Sequence, residues 1–313
     1  MAARNKSNVI SLTRVYDAPL EAVWDAWTIP EEVAQWWGPR GFTLTNHSRD
    51  LRTGGHWHYT MHGPDGTDYE NTTQYLEIVP RQRMVYDHGG HKDRPPLFRV
   101  TALFTERDGR TQLDMSMAFA TPEVATEMRG FIKKAGGEAT WDRLAEYLGK
   151  KCAGAEQFFI ARAFNVSIER MYEMWTDPEH LAQWMPPTGA TMQFLRKEPR
   201  VGGTSFYAMT AANGMVMYGR VNYLEFERPV RIVYTQQFCD DKEQVIRPPF
   251  FANWPRAMLT TIEFASEGAE RTRVTVRWEP QDATEADLAE FIKQRGGMTM
   301  GWTGSFDKLE AMV

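Results

Sequence analysis

Residues Val9 to Tyr16 alternate in part between apolar and polar side chains, the two-residue period of a strand with one buried face. The period then lengthens. In "DAPLEAVWDAW" the residues Val23, Ala26 and Trp27 share one face of a helix, Asp17 is placed to cap it, and Pro19 suits its first turn. A second short helix opens at Pro30 in "PEEVAQWW", with Glu31 and Glu32 in its first turn, where carboxylates suit the helix dipole. Six further strands are predicted: Phe42 to Asp50, His56 to His62, Tyr69 to Ile78, Arg83 to Asp87, Phe98 to Glu106 and Arg110 to Phe119. "GPDG" and Asp108-Gly109 are tight-turn signals, so the strands join as hairpins into an antiparallel sheet. From Val124 through Met128, Phe131, Ile132, Ala135, Trp141, Leu144 and Leu148 the apolar residues keep helical spacing. Gly136-Gly137 interrupts that helix and implies a bend, a close approach to the sheet, or a break into two helices.

The whole pattern then recurs. "RVYDAPLEAVWDAWTIPEEVAQWWGP" (Arg14 to Pro39) aligns with "RAFNVSIERMYEMWTDPEHLAQWMPP" (Arg162 to Pro187), with ten of 26 positions identical. The offset of 148 holds through Tyr86/Tyr234, then becomes 160 after a longer loop in the second copy. A period of this length means two tandem domains, each large enough to own a core. We place them at residues 8–150 and 156–313, joined by the polar stretch "GKKCAGAE". The fold class is α+β: two helix-grip domains, each a curved antiparallel sheet of six to seven strands wrapped around a long C-terminal helix, with two short helices plugging one end.

Composition narrows the function classes. The net charge is −5, and no basic run reads as a phosphate-binding stripe, so a nucleic-acid partner is not expected. Cys152 and Cys239 fit free thiols in a reducing compartment. No secretory leader and no membrane span is read, and the expected location is cytoplasmic. Eleven tryptophans and seventeen methionines suit an irregular interior or an adaptable ligand cavity.

The stretch "GGHWHYTMH" puts His56, His58 and His62 on one face of a strand, and an HxH pair there can chelate a metal. In the second copy Tyr207 and Met209 match Tyr59 and Met61, while Thr204 and Phe206 replace His56 and His58. The repeated face is therefore the inward one. The histidines face outward, toward solvent or another surface, and no metal or other cofactor is expected.

The segments "APLEAVWDAWTIPEEVAQWWGP", "YLEIVPRQRMVY" and "GWTGSFDKLEAMV", with the Gly-Gly-x-Trp-x-Tyr-x-Met strand, resemble the START-like (Bet v-like, SRPBCC) superfamily. The resemblance is to the branch related to the C-terminal domain of the activator of heat-shock protein 90 ATPase. It covers both copies and implies the helix-grip fold, with space between sheet and helix. The first copy departs from the pattern in "GGEATWDRLAEYL", which lacks the "MGW" of the second. That predicts a shorter or differently broken final helix and a narrower cavity.

The expected cavity residues of the first copy are Trp27, Trp36, Tyr59, Met61, Tyr86, Met115, Met117 and Phe131. Those of the second are Trp175, Trp184, Tyr207, Met209, Tyr234, Val276, Trp278 and Phe291. Apolar walls with a few hydroxyls suit a small hydrophobic ligand; a collapsed core is the alternative. Arg94 and Arg247, in the repeated "RPP", either guard a cavity mouth or make structural contacts. The Phe-rich "RPPFFANWPRA" reads as a lid or an interface patch. No nucleophile motif is present, and Glu77 and Glu225 are the weak catalytic candidates, each with Arg83 or Arg231 as an alternative partner. Three functions follow in order: binding of a small hydrophobic molecule, cyclase- or hydrolase-like catalysis in the same cavity, and stimulation of heat-shock protein 90. The repeat also suggests an intramolecular pseudo-dimer.

Overall fold

The structure is a computed structural model, and it describes residues 7–89, 95–134, 139–153 and 156–313, without the side chains of residues 131, 133, 134 and 153. The side chain of Phe131, all of Arg94 and the pair Gly136-Gly137 therefore lie outside the described residues. The chain divides into two compact units, Met1–Cys152 and Ala153–Val313.

The first unit runs β1 (Val9–Tyr16), α1 (Leu20–Thr28), α2 (Pro30–Trp36), β2 (Thr43–Arg49), β3 (His56–His62), β4 (Asp68–Val79), β5 (Arg83–His88), β6 (Phe98–Arg107), β7 (Arg110–Ala118), α3 (Pro122–Lys134) and α4 (Ala139–Ala153). The second runs β8 (Phe158–Phe164), α5 (Ile168–Thr176), α6 (Pro178–Trp184), β9 (Thr191–Arg196), β10 (Thr204–Thr210), β11 (Val216–Glu227), β12 (Arg231–Cys239), β13 (Ala257–Gly268), β14 (Arg271–Gln281), α7 (Glu285–Lys293) and α8 (Arg295–Glu310). Each unit holds one seven-stranded antiparallel sheet, in the orders β1-β7-β6-β5-β4-β3-β2 and β8-β14-β13-β12-β11-β10-β9. Each is a helix-grip domain: hairpins in sequence, with the first strand closing onto the last.

Local chemistry explains the joints. Asp108 and Gly109 both have positive φ, as the two-residue turn between β6 and β7 requires. The same bulge interrupts β4–β5 at Tyr75/Glu77 and β11–β12 at Tyr223/Glu225. Asp177 caps α6 by accepting from the Glu179 N–H at 2.8 Å. Asp17 does not cap α1, whose N-cap is Pro19; it pairs instead with Arg110 across 3.3 Å.

Of the alternatives for the interrupted C-terminal helix, the second unit shows the break into two helices, α7 and α8. In the second, Gln294 sits at the junction with φ −84° and ψ 0°, and Gly296-Gly297 fall inside the first turn of α8. Over the described residues α4 has 15 residues and α8 has 16; whether the first unit's helix is broken differently falls on residues 135–138, outside the described residues. Trp141 does the work of Trp302, since each indole stacks on the α1 or α5 tryptophan, Trp27 or Trp175, at 5.8 and 5.9 Å.

A hydrophobic core packs between sheet and helices in each unit. Trp36 and Trp184 are fully buried in it, and each donates its indole N–H at 2.9 Å to a carbonyl ten residues back, Ala26 and Met174. A buried indole needs that acceptor, and the bond locks the two short helices together.

Candidate functional site

A cavity of about 320 Å³ opens in the second unit, between the inner face of the sheet and α8. The strand period sets its sheet wall. Tyr207 and Met209 come from β10, Met217 from β11, and Tyr234, Gln236 and Phe238 from β12. Met258 and Trp278 continue the wall on β13 and β14. On the helix side Gly297 and Gly301 stand one turn apart beside Trp302 and Ser305. A Cβ added at either glycine would meet nothing within 4 Å, so the glycines widen the cavity and mark no close approach of helix to sheet. Close approach occurs later, at Gly304, where a Cβ would lie 2.6 Å from the Thr188 hydroxyl.

Tyr207 owes its position to its cross-strand partner. It pairs with Gly219, and a Cβ there would sit 2.2 Å from the Tyr207 ring. The ring thus lies across a strand position that only glycine leaves open. Burial pushes the Tyr207 phenol up to about 12 and raises that of Tyr234 further. Both are neutral hydroxyls at physiological pH, suited to donate hydrogen bonds and unsuited to serve as anions. Ser305 is already engaged, donating to the Met185 carbonyl at 2.7 Å.

The loop after β12 closes one side. Phe250, Trp254, Pro255 and Arg256 line the cavity; Phe251 stacks on Trp254 at 4.8 Å, and Trp254 packs on Phe291 at 5.8 Å. Asp287 anchors this loop from the start of α7. It is buried, closes a capping box with Thr284, and accepts from the Trp254 N–H at 2.8 Å. Arg247 reaches Asp287 at 3.2 Å and the Ala252 carbonyl at 2.7 Å. Of the two roles considered for Arg247, the structural one is what its contacts describe, and the Phe-rich segment forms part of the cavity wall.

Of the residues expected to line a cavity in the second copy, Tyr207, Met209, Tyr234 and Trp278 do so. Trp175, Trp184, Val276 and Phe291 are instead packed in the core behind it. Sequence reasoning missed Met217 and Met258, which continue the inward alternation of strands already assigned, and Gln236 and Phe238, where β12 runs on beyond the equivalent of the expected strand end at Asp87. Met185, Trp254 and Arg256 lie on connections, where periodicity gives no signal.

In the first unit the corresponding positions are packed among themselves. Trp27, Trp36, Tyr59, Tyr86, Met115 and Met117 are buried in one core, with Met61 partly buried against it. Trp37 stands where the second copy has Met185, and its ring meets those of Trp57, Tyr59 and Trp141 at 5.3, 6.3 and 6.4 Å. Trp57 stands where the second copy has Ser205; it stacks on Tyr59 at 3.9 Å, donates to Asn46 at 2.7 Å and lies under the Arg49 guanidinium. Among the described residues, two indoles that the second copy lacks, Trp37 after α2 and Trp57 on β3, occupy the interior of this unit. Tyr59 and Tyr86 are raised above the ordinary tyrosine range by burial.

The remaining candidates lie outside these interiors. His56 is exposed; His58 and His62 bond Glu70 and Asp68 at 2.8 and 2.6 Å on the outer face of the sheet. Among the described residues no group of three or more metal-ligating side chains forms. Glu77 and Glu225 are part-exposed and face Arg83 and Arg231 at 3.5 and 3.6 Å, and Glu225 does not line the cavity. No helix of the described residues is long and apolar enough to cross a membrane.

The family model for Activator of Hsp90 ATPase homolog 1-like protein matches residues 17–149 and again residues 165–313. The chain belongs to that family. It carries two Hsp90-activator-homologue-like domains in tandem, consistent with the START-like resemblance. No curated protein matches the chain. Among solved structures, a protein of Chromobacterium violaceum is 26% identical over 50% of this chain and 96% of its own, with a TM-score of 0.40. One of Nitrosomonas europaea is 22% identical over 49% and 99%, with a TM-score of 0.43. The di-domain ARO/CYC BexL of the BE-7585A biosynthetic pathway is similar over 97% of both chains, at 12% identity and a TM-score of 0.40.

Proposed function

We propose that the second domain of this chain binds a small, mainly apolar molecule between its sheet and α8. The observation that carries this is the cavity of about 320 Å³ walled by methionine, tryptophan, phenylalanine and tyrosine. That volume lies at the small end of the ~300–1,000 Å³ range of ligand sites. Thioethers adapt to an irregular ligand shape, and the neutral phenols of Tyr207 and Tyr234 supply orientation. Glu225, part-exposed and facing Arg231, does not line this cavity, which supports binding over acid–base catalysis by that residue. We further infer a cytoplasmic setting, with Cys152 an exposed free thiol.

The test compares the full chain with a Met185→Trp variant, which puts the first domain's indole into the second. Native mass spectrometry of the chain purified from its host is expected to show a bound small molecule. N-phenyl-1-naphthylamine, a neutral fluorescent probe, is expected to bind the full chain and to lose at least about tenfold in affinity in the variant. No bound mass together with no probe uptake by the native chain would remove the proposal.

A further inference from the structure

Binding in this cavity leaves open what chemistry the ligand shows at its polar end. The side chains that line the cavity include one charged residue, Arg256, and no carboxylate. Arg256 ends the loop that carries Phe250 and Trp254, immediately before β13, and it is exposed at the rim. Among the described residues it has no hydrogen-bond or ion-pair partner. That is unusual for this unit. Arg196 is held by Glu243, Arg247 by Asp287, and Arg220 donates to Gln237 at 2.6 Å. Two acidic residues, Asp240 and Asp241, border the neighbouring recess around Tyr218 and Phe238. One Asp240 oxygen is already spent on the backbone N–H groups of Lys242 and Gln244, at 2.9 and 2.8 Å.

The interior also offers hydrogen-bond donors. Tyr207 and Tyr234 are held neutral and can donate, while the Ser305 proton is committed to the Met185 carbonyl. Gln236 and the phenols can accept as well as donate, so the discrimination rests on the one unpaired guanidinium at the mouth, which favours a ligand with an anionic end.

We infer that the ligand of the second domain is an amphipathic anion, an apolar and largely ring-shaped body with a carboxylate-like group that pairs with Arg256 at the cavity mouth. This rests on the binding reading above and goes further by assigning the anion site. The role considered for Arg247, meeting an anionic group, passes to Arg256, nine residues on.

Two probes with one ring skeleton test it on the full chain: 1-anilinonaphthalene-8-sulfonate, an anion, and N-phenyl-1-naphthylamine, which lacks the sulfonate. Arg256→Gln is expected to weaken the anion about fivefold and leave the neutral probe within about twofold, the size of one part-exposed charge-assisted contact. Arg256→Lys is expected to keep at least half of the anion's affinity. Raising salt from about 0.05 to about 0.5 M should weaken the anion in the native chain and not in Arg256→Gln. Equal effects of Arg256→Gln on both probes, or none on either, would overturn the anion site while leaving the cavity reading in place. If neither probe binds the native chain and no small molecule co-purifies with it, or both probes bind Met185→Trp unchanged, the cavity reading itself fails.

Discussion

The two halves share a frame and differ in what the frame holds. Both have the buried indole N–H bond that ties the short helices, at Trp36 and Trp184, and the same strand bulge, at Glu77 and Glu225. Both stack a tryptophan of the last helix on a tryptophan of the first. Inside, a handful of positions diverge. Trp37 and Trp57 become Met185 and Ser205, Asn71 becomes Gly219, and His88 becomes Gln236. Among the described residues the first half packs indoles against each other in its interior; the second leaves about 320 Å³. Scaffold and content are therefore separable: the same frame carries an interior of packed indoles among the described residues of one domain and an open volume in the other.

The shared frame is where the largest effects belong. Trp36→Ala and Trp184→Ala each remove a fully buried indole and its hydrogen bond, so each is expected to cost about 3–5 kcal/mol in its own half. Urea unfolding, read with hydrogen exchange in each half, measures this. If one half tolerates the change within about 1 kcal/mol, the two frames are not equivalent.

A sharper contrast comes from the cross-strand pair at β10–β11. Gly219→Ala drives a methyl group into the Tyr207 ring, and the ring must swing from its place in the cavity wall. The expected cost is about 1–2 kcal/mol, with a severalfold change in N-phenyl-1-naphthylamine affinity. Asn71→Ala at the matching site of the first half, where Tyr59 stacks on Trp57 instead, should stay within about 0.5 kcal/mol. Equal responses at the two sites would mean that glycine is not what positions Tyr207.

Much of this was legible before any coordinates. Two-residue alternation fixed the strands to within a residue or two, because one buried face imposes that period; β1 and β3 match their predicted ends. Self-comparison gave the duplication and the inward face at Tyr59 and Tyr207. The cavity was less legible, for a physical reason. Periodicity says which way a side chain points, not whether the opposing element fills the space before it. Trp175 and Tyr207 read alike as inward aromatics, yet Trp175 is sealed by Trp184 and Trp302 while Tyr207 meets the void. Arg256 was invisible because its role depends on where a long connection folds back. The signal that was available and unused lay in the differences between copies: Trp to Met, Trp to Ser and Asn to Gly all remove volume from the same side of one domain.

The smallest expected effect tests whether that divergence reaches titration. His88 ends β5 with its ring stacked on Phe98 at 4.8 Å, and burial lowers its pKa to about 4. Its counterpart Gln236 does not titrate. An unfolded histidine protonates near 6.5. Between these values the unfolded state binds more protons than the folded one, so the first half loses stability as pH falls from 6.5 toward 4. The ring keeps some solvent contact, which trims the effect to about 1 kcal/mol by pH 5.5. His88→Gln, the second half's own solution, should flatten that slope in the first half and leave the other half's unchanged, read by hydrogen exchange across the same range. An unaltered slope would assign the acid sensitivity to other groups, and with it the idea that position 88/236 sets the interior's tolerance of charge would fall.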